Sequence, residues 1–129
     1  MNKILVEVSV GELLDKISIL EIKQDKIKDT DKLKFIREEH SILNDQLNKH
    51  VKYDEKLNNL FSSLKEVNAK LWVIEDEKRQ CEKDQNFGEK FIKLSRDVHF
   101  LNDDRAKIKL EINNYTGSNI KEVKEYTSY

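Results

Sequence analysis

LNNLFSSLKEVNAKLWVI at residues 57–74 and FGEKFIKLSRDVHFLNDDRAKIKLEINNY at residues 87–115 each carry apolar residues in an unbroken alternation of three and four. The first runs through Leu57, Leu60, Leu64, Val67, Leu71 and Ile74, with Lys78 and Cys81 in the next two slots. The second runs through Phe87, Phe91, Leu94, Val98, Leu101, Arg105, Ile108, Ile112 and Tyr115. This is the spacing of helices that pack along a seam. A turn near Gln85–Phe87 makes the two seams meet antiparallel: Leu57 with Tyr115, Val67 with Arg105, Leu71 with Leu101 and Cys81 with Phe91. The pair therefore predicts a long, coiled-coil-like helical hairpin, with helices over about 54–84 and 87–115, each roughly 45 Å long at 1.5 Å per residue.

Upstream, Ser9 stands three residues before Glu12 in capping-box spacing, with Val6 or Val8 able to staple the start of the helix. A helix follows to about Asp29 with Leu13, Ile17, Leu20 and Ile27 on one face. Thr30 or Asp31 caps a second helix carrying Leu33, Ile36, His40, Leu43, Leu47 and His50. These two form a short hairpin over 9–51. Residues 1–10 include the β-branched, partly alternating run Ile4, Val6, Val8, Val10 and predict a short N-terminal strand. Its partner is expected in the tail, 116–129, or in another chain, because an extended segment must satisfy its backbone groups. Gly117 is placed to end the last helix.

Composition agrees with an all-α chain of one domain, residues 1–129, built as two antiparallel hairpins. Charged residues make up 38% of it and proline is absent, while three glycines supply too few turns for a β-sandwich. Lysine and arginine total 24 against 25 aspartate and glutamate, with no basic stripe, so no nucleic-acid partner is predicted. No apolar run approaches a membrane span or a signal peptide, and a cytoplasmic location is expected. The single Cys81 rules out an intrachain disulfide and reads as a small core residue.

Heptad phase separates the flanks of the long hairpin. One carries Ser63, Lys70, Glu77 and Asp84 facing Lys90, Asp97, Asp104 and Glu111, with Lys70–Asp104 and Asp84–Lys90 as expected surface pairs. The other carries Phe61, Asn68, Trp72, Glu75 and Arg79 opposite Ile92, Ser95, His99, Asn102, Ala106 and Lys109. It is poorer in charge, and the first hairpin is expected to cover it. That places a polar band beside the buried layer. Arg105 occupies a seam slot and requires a carboxylate, with Glu75, Asp15 and Glu21 as candidates. A sealed band fixes helix register. An open one, with Asn68, Trp72, Glu75, Arg79, Asn102, Arg105 and Lys109, makes a cradle for a small anionic ligand.

Catalytic signatures are sparse. Glu-x-x-His pairs of di-metal bundles, zinc-ligand clusters, phosphate loops and nucleophile elbows are all absent from the sequence. Carboxylates from several helices remain as a possible Mg²⁺ set, with Glu12, Asp15, Glu75 and Asp103 as ligands of a nucleotide or related phosphate hydrolase. The reading preferred is a non-enzymatic helical module that needs no cofactor and binds a protein partner or a small anion. It is expected to form a homodimer through seam ends near Leu57, Leu60, Ile112 and Tyr115.

Three blocks, VSVGELLDKISILEIK at 8–23, VNAKLWVIEDEKRQCE at 67–82 and FIKLSRDVHFLNDDRAKIKLEIN at 91–113, resemble a family of short helical proteins of bacteria and their phages whose function is unknown. The resemblance implies a folded family without bringing an activity. It implies that Gly11, Glu12, Asp15, Lys16, Asn68, Trp72, Glu75, Asp76, Arg79, Asn102, Asp103, Arg105 and Lys109 belong to the family's signature.

Overall fold

A computed structural model describes residues 3–120 and 122–129. Among the described residues there are four helices: α1 Val10–Lys26, α2 Thr30–His50, α3 Glu55–Lys83 and α4 Glu89–Thr116. Side chains cap the starts of α1, α2 and α3, whereas α4 begins at Gly88 without one. Ser9 Oγ accepts from Glu12 N, Asp29 accepts from Asp31 N and Lys32 N, and Asp54 accepts from Leu57 N. Each cap satisfies amides that the first turn leaves unpaired. Only half of the capping box forms at α1, because the Glu12 side chain is engaged by Lys109. Gly117 ends α4 at φ 68°, a left-handed conformation in which its own N–H reaches Asn113 O.

The long hairpin turns where the seams require, through Asp84–Gly88, with Gln85 at φ 55° and Asn86 N donating to Cys81 O. Its register is antiparallel along its length. Lys56 Nζ lies 4.6 Å over the Tyr115 ring near one end, and Lys78 Nζ 6.0 Å from the Phe91 centroid near the other. On the outer flank the ion pairs run within helices, Lys70 with Glu66 and Lys93 with Asp97, in place of the expected pairs across the hairpin.

The covering layer is unequal. α1 packs on α3, α4 and α2, whereas the α2 backbone lies close to α1 alone. The core joins Leu14 and Ile17 of α1 to Leu57, Leu64 and Ile112 of the hairpin and Leu47 near the end of α2. Leu57 and Ile112 are fully buried there. Of the expected exposed seam ends, Leu57 and Ile112 are therefore covered, Leu60 is half-buried and Tyr115 stays exposed, while the hairpin's uncovered portion lies towards its turn.

Among the described residues there is no strand, which corrects the expected N-terminal strand and its pairing with the tail. Ile4, Leu5 and Val6 are 85%, 82% and 73% exposed, so the segment has neither an edge to pair with nor a surface to pack on, and neither Val6 nor Val8 staples α1. Met1, Asn2 and Lys121 lie outside the described residues. The tail follows α4 instead. Tyr129 meets Phe100 edge-on at 5.4 Å between ring centroids and donates to Asp103.

Candidate functional site

The interface between α1 and the hairpin is organised around Asp15, a carboxylate 1% exposed on α1. Arg105 of α4 meets it with two parallel bonds, Nε to Oδ1 at 2.9 Å and Nη2 to Oδ2 at 2.5 Å. Asn68 of α3 adds Nδ2 to Oδ1 at 2.8 Å, and the same Nδ2 donates to Ser18 Oγ at 2.8 Å. Three helices thus converge on one carboxylate, in the bidentate geometry that makes arginine–carboxylate contacts strong. Arg105 finds Asp15 among the three candidates, while Glu21 is engaged by Lys65 and His40. Its seam position aims it at α1, so the seam's polar slot is filled without an unpaired buried charge.

Lys109 continues the network one turn along α4. Its Nζ donates to Glu12 and to Glu122 of the tail, each at 2.8 Å, and lies 3.9 Å from Asp15 Oδ2. The bond to Asp15 raises the Arg105 pKa against the opposing effect of burial. Burial pulls the Lys109 pKa down, but its bonds to Glu12 and Glu122 outweigh that and the net shift is upward. The contact with Lys109 lowers the Glu122 pKa. Below this point the backbones nearly touch. Gly11 N donates to Asn113 Oδ1 at 2.7 Å, and a Cβ on Gly11 would stand 2.6 Å from Lys109 O.

Beside this network is a cleft of about 410 Å³, formed because α1 stops at Lys26 while α3 continues to Lys83. Ile19 and Ile22 form one wall, Leu71 and Trp72 the other, Asn68 and Arg105 the inner end, and Glu75, Asp76 and Arg79 the lip. Five sequence candidates come together here: Asn68, Trp72, Glu75, Arg79 and Arg105. Lys109 belongs to the buried network. Asn102 is separated from both; it borders a second hollow with His99, Asp103 and the tail residues Lys124, Tyr126, Thr127 and Tyr129. Three positions from Arg105 is about 60° around a helix, enough to turn Asn102 from α1 towards the tail.

The proposed magnesium ligands do not converge. Glu12 is held by Lys109, Asp15 by Arg105, Asp103 by Tyr129, and Glu75 stands apart at the lip. Among the described residues no three His, Cys, Asp or Glu side chains are grouped to hold a metal. The anion cradle is altered too, since the charges of Arg105 and Lys109 already face protein carboxylates.

Ser18, Asn113 and Glu122 are the site residues that spacing did not indicate. Ser18 and Asn113 lie in helices as ordinary polar residues, and Glu122 in a segment read as a strand. Gly11 was the one available signal, because a glycine inside the first turn of a helix suggests close backbone approach.

A model of the family described as a family of unknown function, DUF6165, matches residues 4–129, and the chain belongs to that family. No curated protein and no solved structure matches it. No helix among the described residues is long and apolar enough to cross a membrane.

Proposed function

For this member of a family of unknown function, we propose a non-catalytic helical binding module that recognises its ligand or partner in the Trp72 cleft and pairs with a second copy through the long hairpin. One observation carries the recognition part: the cleft is open at the end of a network whose polar atoms are otherwise satisfied. Among the described residues no buried side-chain nitrogen or oxygen lacks a hydrogen bond. The network therefore reads as the rigid support of a site. The cleft combines an aromatic wall with a few polar groups at one end, the usual composition of a binding pocket.

The magnesium hydrolase alternative receives less support, because its carboxylates are separated and two of them are neutralised by Arg105 and Lys109. Trp72 is the chain's only tryptophan, so its emission reports directly on the cleft. The test is a thermal melt with parallel Trp72 fluorescence against divalent metals, nucleotides, sugar phosphates and aromatic amides. A binder should shift the emission and raise the melting temperature, with both effects weakened in Asn68→Ala. An emission spectrum unmoved by every compound would sink the recognition reading. Magnesium-dependent turnover of a phosphate compound would overturn the non-catalytic part.

A further inference from the structure

We infer that the cleft takes an organic cation bearing an amide edge and an apolar body, the chemistry of an apolar-basic stretch of peptide, and not a phosphate or carboxylate anion. The inference rests on the recognition reading above and specifies the ligand of that same site.

The charge arrangement decides the sign. Arg105 is turned to Asp15 through Nε and Nη2, and pulling it onto an anion would strand a carboxylate only 1% exposed. Lys109 is 8% exposed at its side chain and shared by Glu12 and Glu122. The charge of each inner cation is therefore already compensated by protein carboxylates. At the lip, Glu75, Asp76 and Arg79 are exposed and make no ion pair among the described residues, leaving two negative charges against one positive. An anion entering the cleft meets net negative charge and an ammonium group meets an attractive one.

The inner end supplies the second requirement. Asn68 spends its Nδ2 on Asp15 and Ser18, so its Oδ1 remains an acceptor without a protein partner among the described residues. Arg105 Nη1 is likewise an unengaged donor. Because no buried side-chain polar atom among the described residues lacks a partner, both atoms keep access to solvent. A carbonyl acceptor beside a guanidinium donor complements a group offering an N–H next to a C=O, as an amide does. Ile22 and the Trp72 face provide apolar walls for the body, and a cation near Trp72 gains from its ring as well.

The experiment titrates Trp72 fluorescence at about pH 6, where an α-amine is protonated. The probes are L-phenylalaninamide, N-acetyl-L-phenylalanine, inorganic phosphate and the peptide acetyl-Phe-Lys-Phe-amide. The first two share an aromatic body and an amide and differ in the sign of charge. L-phenylalaninamide should bind at least tenfold tighter than N-acetyl-L-phenylalanine or phosphate, and Glu75→Gln combined with Asp76→Asn should erase that preference. Tighter binding of the peptide would identify a peptide segment as the source; equal binding would identify a small molecule. Both results support the proposal. Preferential binding of N-acetyl-L-phenylalanine or phosphate overturns it while leaving the cleft as a binding site. Binding of none of the four overturns it, and the recognition reading then stands or falls on the wider panel above.

Discussion

Asp15 sets the energetic stakes of the fold at the residue scale. A buried ion pair adds little over apolar packing, yet removing one member is costly because the other remains in a poor dielectric. Arg105→Leu leaves Asp15 with Asn68 and a lysine nitrogen 3.9 Å away, too distant to replace two direct bonds. A loss of roughly 3 kcal/mol in urea denaturation is expected, at the low end of the range for broken buried pairs because the Arg105 side chain is itself 30% exposed. The double variant Asp15→Leu, Arg105→Leu should recover most of that loss, since it removes both charges together. An Arg105→Leu protein as stable as the parent would mean that Asp15 does not depend on this partner. The heptad pattern made the need for such a carboxylate legible, because an arginine in a seam slot must be neutralised. It could not choose among Asp15, Glu21 and Glu75, which share the right chemistry and differ only in where α1 crosses the hairpin.

At the scale of elements, helices were more legible than the segments around them. Seam spacing and turn position anticipate α3 and α4 closely, because an antiparallel hairpin has one register that pairs every apolar residue. The terminal segments carry no comparable constraint. A β-branched run predicts a strand only when a partner edge exists, and here the tail is tied to α4 by side chains instead. That attachment makes it sensitive to pH. Contact with Lys109 lowers the Glu122 pKa from its ordinary 4.5. The pairing therefore contributes stability above about pH 4.5 and loses it as the pH falls through the lowered value. The helices are joined by the apolar core of Leu14, Ile17, Leu57, Leu64 and Ile112, which does not titrate, so the hairpin should remain folded while the tail detaches. NMR relaxation of residues 122–129 should report increased motion on acidification before the helices melt, and Glu122→Gln should show the same motion at neutral pH. A tail equally ordered in both would show that Tyr129 and its contacts suffice to hold it.

For the whole molecule, the mismatch in helix length matters most. At 1.5 Å per residue, the 17 residues of α1 extend about 25 Å, whereas the 29 of α3 extend about 43 Å. Towards the turn the hairpin is consequently two helices with solvent on both flanks, and Cys81 and Leu94 are its buried apolar residues there. Two helices alone enclose little core, which is why such hairpins gain from another layer. On the flank opposite the cleft's polar lip, Ala69, Val73, Ile74, Phe100 and Leu101 line an apolar groove of about 640 Å³ with Glu66, Lys70 and Asp97 at its edges. In the proposed pairing, a two-fold axis along the hairpin would set the groove of one copy against that of the other, so that the same apolar patch is buried on both. Sequence spacing pointed to the seam ends as the exposed apolar surface, because it could not show that α1 and Leu47 cover Leu57 and Ile112. Sedimentation equilibrium should therefore give a dimer at micromolar concentration, and Val73→Glu, at a side chain 45% exposed, should yield a folded monomer with an unchanged helical spectrum. A parent protein that stays monomeric to about 100 µM would leave the groove too weakly attractive for a specific dimer. A dimer that survives Val73→Glu would place the contact elsewhere on the molecule.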